Sequence, residues 1–194
     1  MATKSPKLFE SLRSMTAMTV TTVSLTLAAA SGASAATVFG FQDAYDPINW
    51  TFANSNADGF VDTGGAPASI SLTGGNNGSN SFGTTDYTTT AAAAGTVTFD
   101  WNYSSADDPT WDGFGYLLNG SFSFLTNSPS NGTSTFNVLA GDSFGFRVYT
   151  LDNIFGPGSV TISNFSAPIP EPSTVLSLLV LGGLGAGLKY LKRN

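Results

Sequence analysis

Three carboxylates, Asp107, Asp108 and Asp112, fall within six positions with no basic residue beside them. Hard cations take carboxylate and carbonyl oxygens, so an Asp- and Gly-rich loop of this kind suits Ca²⁺. The alternative is a solvated acidic loop, which local clustering of charge by itself favours. A second acidic stretch, Asn54, Asn56, Asp58 and Gly59, has the spacing of the middle of an EF-hand loop. It begins on Asn rather than Asp, and Gly65 stands where the bidentate Glu belongs. Two tryptophans add a different chemistry. Trp111 lies in the acidic turn and Trp50 follows Pro47-Ile48-Asn49. An exposed indole offers a flat apolar face to a sugar ring, with nearby Asp and Asn to bond its hydroxyls; burial in the core is the other fate open to Trp50.

Much other chemistry is excluded by composition. The chain has no His and no Cys, and residues 36–167 have no Lys. Thiol nucleophiles, Ser-His-Asp triads, Schiff bases and His-ligated zinc therefore have no residues to build them. No P-loop or dinucleotide fingerprint occurs. A two-carboxylate glycosidase built from an Asp pair is the enzymatic alternative that remains. The non-enzymatic alternative, a structural or adhesive protein, needs no such pair. No cofactor is implied; Ca²⁺ is the one ion the side chains suit.

These residues sit in a segment that reads as strands and turns. Residues 36–167 hold eleven Asp, no Glu and a single Arg, Arg147, a net charge of −10 against −6 for the whole chain. Such a surface repels phosphate backbones, which argues against nucleic-acid binding. Thr, Ser, Gly, Asn and Asp fill the polar positions that Lys, Glu and Gln occupy on helices. Val97, Phe99, Trp101 and Tyr103 alternate with Thr96, Thr98, Asp100 and Asn102, the period of a half-buried strand that turns Trp101 inward. Phe144, Phe146 and Val148 alternate with Gly145 and Arg147 in the same way. Asn119-Gly120, between Leu117-Leu118 and Phe122-Phe124, marks a two-residue hairpin. About nine short strands at this spacing predict an all-β, antiparallel two-sheet sandwich of the jelly-roll kind. A faint echo relates 95–100 to 132–137 and 112–116 to 142–146. Its unequal intervals exclude a solenoid, and two hairpins of similar strand chemistry suffice to explain it.

The two ends differ from this body. Lys4, Lys7 and Arg13 precede an uncharged run, Met15 to Ala30, and then Ala33-Ser34-Ala35. A basic start, an apolar stretch and an A-x-A site make a secretory signal peptide over 1–35. It would be cleaved between Ala35 and Ala36, after passage through the Sec translocon, by signal peptidase. At the other end, residues 174–191 carry one charge, Lys189, and as a helix would reach roughly 27 Å. That is just short of the roughly 30 Å hydrocarbon core, a marginal transmembrane helix. Lys189, Lys192 and Arg193 form a basic tail on the cytoplasmic side.

Between body and helix stands Ile169-Pro170-Glu171-Pro172-Ser173. Together with the apolar helix and basic terminus, residues 168–194 resemble the PEP-CTERM sorting signal of bacterial surface proteins. The resemblance implies that Pro170, Glu171 and Pro172 are read by an exosortase, a membrane transpeptidase that removes the tail and delivers the protein to the surface or matrix. It also implies an association with exopolysaccharide and biofilm. The run from Gly95 through Phe165 is similar to a middle domain common among such proteins, to which no activity is attached. The expectation is thus an exported, non-enzymatic protein with a β-sandwich over 36–167. It is anchored in the membrane by its C-terminal helix, then released to the cell surface or extracellular matrix.

Overall fold

In the computed structural model, residues 35–108 and 110–171 are described. Ala33, Pro172, the signal helix and the membrane helix of the sequence reading lie outside them.

Eleven strands follow one another: β1 Ala36–Phe39, β2 Thr51–Ser55, β3 Phe60–Asp62, β4 Ser69–Thr73, β5 Gly83–Thr90, β6 Gly95–Ser105, β7 Asp112–Leu118, β8 Ser121–Thr126, β9 Ser130–Val138, β10 Ser143–Thr150 and β11 Gly158–Ile169. They form two antiparallel sheets. The first runs β3-β4-β11-β6-β9, with β1 also paired to β11; the second runs β2-β5-β10-β7-β8. The expectation of an all-β, two-sheet antiparallel sandwich is met. The strands that alternation does not mark are short. β1, β2 and β3 have three to five residues and little alternation of burial, so period-two reading has little to grip.

Where alternation is strong, the strand is where it was expected. In β6, Val97, Phe99 and Tyr103 face inward and are buried, while Trp101 is partly buried and donates its indole N–H to Ser134 Oγ at 3.1 Å. Asn119 and Gly120 both take positive φ, 50° and 78°, as a tight turn between twisted strands requires. The internal echo has a structural basis: β6 is paired with β9, and β7 with β10, so similar sequences occupy neighbouring positions.

The core between the sheets is aromatic. Trp50 stacks on Tyr87 at 5.0 Å and on Phe146 at 5.6 Å, and Phe41 stacks on Phe165 at 4.7 Å. Tyr45, completely buried, donates from Oη to the Pro168 carbonyl at 2.7 Å. Pairing of Ala36 with Ile169 brings the first and last strands together at one end of the first sheet. The loops 106–111 and 151–157 lie at the other end of β11, which spans twelve residues, about 36 Å.

Candidate functional site

The two tryptophans separate. Trp50 is 8% exposed, enclosed between rings of both sheets, and its indole N–H is held by the Tyr45 carbonyl at 3.0 Å. It is a core residue and not a sugar platform, because its stacking faces are already covered. Trp111 is 45% exposed, immediately before β7, where the Leu151 amide donates to its carbonyl at 2.8 Å.

Trp111 is continuous with a surface that the sequence reading did not single out. In β10, Phe144, Phe146 and Val148 point to the core, which puts Gly145, Arg147 and Tyr149 on the outer face of the second sheet. Across the pairing, Tyr149 lies opposite Gly113 and Arg147 opposite Gly115. These glycines leave the floor open for rings to lie close. A Cβ at Gly113 would sit 2.5 Å from the Tyr149 ring, and one at Gly115 2.7 Å from Phe122 and against the Ser123 carbonyl. The rings form a tile: Phe82 stacks on Tyr149 at 6.3 Å, and Phe122 meets Tyr149 edge-on at 5.9 Å. Phe124 pairs with Gly115 on the same edge, and Phe82 and Phe124 are more than half exposed. Continuing the alternation one residue past each strand brings Phe82, Leu151 and Trp111 into one row at the end of this face.

Arg147 lies within the tile. Its Nε and Nη2 donate to the two carboxylate oxygens of Asp86, each at 2.6 Å, and its guanidinium carbon is 5.8 Å from the Phe122 centroid. The hydrogen bonds from Arg147 to Asp86 raise the guanidinium pKa further. The pair leaves other guanidinium N–H donors available to a ligand. The signal for this site was present in the sequence: the one cation of the body stands at an outward position of a strand. What was missing was that β5, β7 and β8 bring Asp86, two glycines and Phe122 beside it.

The acidic turn is divided. Asp108 is exposed, and its amide donates to Asp107 Oδ1 at 2.6 Å. Asp112, at the start of β7, is 1% exposed and points between the sheets. Its Oδ2 accepts from Ser105 Oγ at 2.8 Å, while Oδ1 has no protein partner. Asp107 Oδ2 and Tyr103 Oη, both buried atoms, also lack one. Burial raises the Asp112 pKa; the Ser105 hydrogen bond and the neighbouring Thr150 hydroxyl act against it, and Asp107 and Asp152 add repulsion. Burial and then the Asp112 charge raise Tyr103 as well. No group of three or more acidic side chains at metal-binding distance occurs among the described residues, so the three Asp do not converge as a set.

The EF-hand-like spacing belongs to a different structure. Asn54 ends in β2 and donates to the Gly59 carbonyl at 2.8 Å, and Asn56 donates to the Phe82 carbonyl at 2.8 Å. Asp58 Oδ1 accepts from the Asn76 amide at 2.6 Å. These side chains tie loops together instead of converging on an ion. Four shallow surface depressions among the described residues each contain at most one Asp: Asp100 in one, Asp62 in another. At the domain ends, Ala36 opens β1 behind the half-buried Ala35, and Pro170 and Glu171 leave β11 exposed.

No protein-family model and no curated protein sequence matches the chain. Among solved structures it is similar to the family 11 carbohydrate-binding module from Clostridium thermocellum in complex with a β-1,3-1,4-mixed-linked tetrasaccharide. Identity there is 11%, with a TM-score of 0.42 over 71% of this chain and 98% of that one. It is similar to CBM35 from Paenibacillus barcinonensis at 14% identity and a TM-score of 0.33, over 66% of this chain and 98% of that one. It is also similar to the secreted serine protease VesC from Vibrio cholerae, at 12% identity and a TM-score of 0.37. That match covers 52% of this chain and 21% of VesC. No binding residue carries over at this level of likeness.

Proposed function

We propose that this chain is an exported, non-enzymatic surface or matrix protein whose sandwich binds polysaccharide on the outer face of the second sheet. The observation that carries the reading is the glycine-floored tile of Phe82, Tyr149 and Phe122 around the Arg147–Asp86 pair. Flat rings cover the apolar faces of sugars, and the paired charges supply donors and acceptors to hydroxyls. The ligand class is a neutral glycan, because a body of net charge −10 repels a polyanionic one. The strand order supports a jelly roll: from β4 to β11 the chain crosses between sheets at every connection except β7 to β8, giving β4-β11-β6-β9 over β5-β10-β7-β8.

Export by the 1–35 leader and sorting through Pro170, Glu171 and Pro172 by an exosortase belong to the same proposal. The pairing of Ala36 with Ile169 suits it, since entry and exit of the body then lie together, away from the row of Phe82, Leu151 and Trp111.

Binding is tested by affinity electrophoresis in gels containing neutral β-glucans. Tyr149→Ala and Phe122→Ala are each expected to weaken retardation about tenfold, equivalent to ~1.4 kcal/mol. Near-ultraviolet circular dichroism checks that the fold is kept. Unchanged retardation in both variants would reject the tile as the site. Mass spectrometry of the protein from its native envelope tests sorting: a mature C-terminus near Glu171 is expected, and an intact Asn194 would overturn processing.

A further inference from the structure

The end of the sandwich where β6 finishes and β7 and β11 begin has an unbalanced interior. Asp112 is 1% exposed with Oδ1 unpartnered, and the buried Oδ2 of Asp107 is likewise unpartnered. The Tyr103 hydroxyl, on a side chain 1% exposed, is the third such atom. They are neighbours. A Cβ placed on Gly158 would sit 2.5 Å from Tyr103 Oη and 3.0 Å from Asp112 Cβ. Ser105 bridges the two Asp residues, donating from Oγ to Asp112 Oδ2 at 2.8 Å and accepting from the Asp107 amide at 3.1 Å.

A carboxylate can only accept, so two of them with enclosed, unpartnered oxygens need donors or a cation. The body cannot supply a cationic side chain. Its one Arg is bound to Asp86 on the outer face of the second sheet, and it has neither Lys nor His. Ser105 donates to Asp112, but no cationic side chain neutralises the pair, so a cation from solution would balance the charge that remains. We propose that Asp107 and Asp112 bind a calcium ion at this end of the sandwich. Asp107 Oδ2 and Asp112 Oδ1 are the charged ligands, with the Tyr103 hydroxyl beside them. Carbonyl and water oxygens complete the shell, as Ca²⁺ accepts in irregular loops and Mg²⁺ does not. Zn²⁺ is disfavoured by the absence of nitrogen and sulfur donors. Asp108 is not a ligand; its amide fixes Asp107 through the other carboxylate oxygen. This ion would fasten the 106–111 loop that carries Trp111. The site stands independently of the glycan proposal, since its ligand oxygens are enclosed at the end of the sandwich and the tile is on the outer face of the second sheet.

The test uses the full-length chain stripped with EGTA. Adding calcium to about 5 mM, above the roughly 0.1–1 mM dissociation constants of weak extracellular sites, is expected to raise the melting temperature by roughly 3–6 °C. Magnesium at the same concentration is expected to produce less than half of that. Asp107→Asn, a near-isosteric change in a loop, is expected to weaken calcium affinity at least about tenfold. A second readout needs no variant: Tb³⁺ luminescence, excited through the nearby Tyr and Trp rings, should appear and be displaced by calcium. The proposal is overturned if calcium shifts neither melting nor Tb³⁺ emission, or if Asp107→Asn keeps the wild-type affinity. Absence of glucan retardation by the wild-type chain, with a normal calcium response, would reject the tile alone.

Discussion

At the scale of the residue, burial distinguishes side chains that look alike in the chain. Trp50→Ala is expected to cost about 3–5 kcal/mol, because it empties the space between Tyr87 and Phe146, whereas Trp111→Ala stays within about 0.5 kcal/mol. Chemical denaturation checks both. The carboxylates divide in the same way. With calcium chelated, Asp112 has a folded-state pKa above its unfolded value of about 3.8, from burial first. Its contribution to stability is therefore full below that value and is lost as pH rises through the raised one. Asp142 is the reverse: the Leu139 amide and Asn119 lower its pKa, so its contribution holds at neutral pH and is lost as pH falls through the lowered value. Thermal melts in EGTA should find Asp112→Asn more stable than wild type at pH 7, the gap closing toward about pH 3. Asp142→Asn should be less stable than wild type at pH 7, with that gap also closing on acidification. Neither sign was readable from the chain, since Asp112 in Trp111-Asp112-Gly113 and Asp142 in Gly141-Asp142-Ser143 both stand at turn-to-strand junctions and differ in what folds over them.

At the scale of the element, glycines in the β7–β8 hairpin carry different duties. Gly120 has φ 78° and open space around it, so Gly120→Ala meets conformational strain alone, about 1 kcal/mol. Gly115→Ala drives a methyl into the Phe122 ring and the Ser123 carbonyl, and should cost about 1–3 kcal/mol while lifting the ring from the sheet. The two variants, compared by denaturation and by glucan retardation, should separate: Gly120→Ala keeps binding and Gly115→Ala loses it. The hairpin itself was legible, because Asn-Gly between apolar runs specifies its own turn. The floor was not, because a glycine opposite an aromatic ring is defined by strand register, which spans the β7–β8 and β7–β10 pairings.

At the scale of the whole molecule, charge and chain path act together. The Arg147–Asp86 pair is the one ion pair among the described residues, about a quarter exposed. Its bidentate geometry should give a coupling of about 1 kcal/mol in a double-mutant cycle of Arg147→Ala and Asp86→Ala, at the upper end for a surface pair because solvent still screens it. All other body Asp residues are left without a cationic side-chain partner among the described residues, which leaves the body with a net negative field. The first and last strands meet at one end of the first sheet, and the exposed aromatic row with the inward carboxylates gathers at the other. On the proposed function, this arrangement would set the glycan face away from the segment that attaches the body.

The sequence by itself determined the class of the fold and the chemistry that is absent. Period-two burial, turn residues and a lack of helix-forming charged residues are local properties, and they pointed to a two-sheet sandwich without thiols, imidazoles or amines. The proposal that residues 168–194 are a sorting signal also rests on the sequence, because such a signal is a linear motif and needs no fold. Tertiary structure alone decided which aromatic rings reach solvent, which Asp carboxylates are enclosed and which cation answers which anion. Those outcomes depend on strand register between residues tens of positions apart, as Asp86 and Arg147 are, and a one-residue slip would turn every one of them to the opposite face.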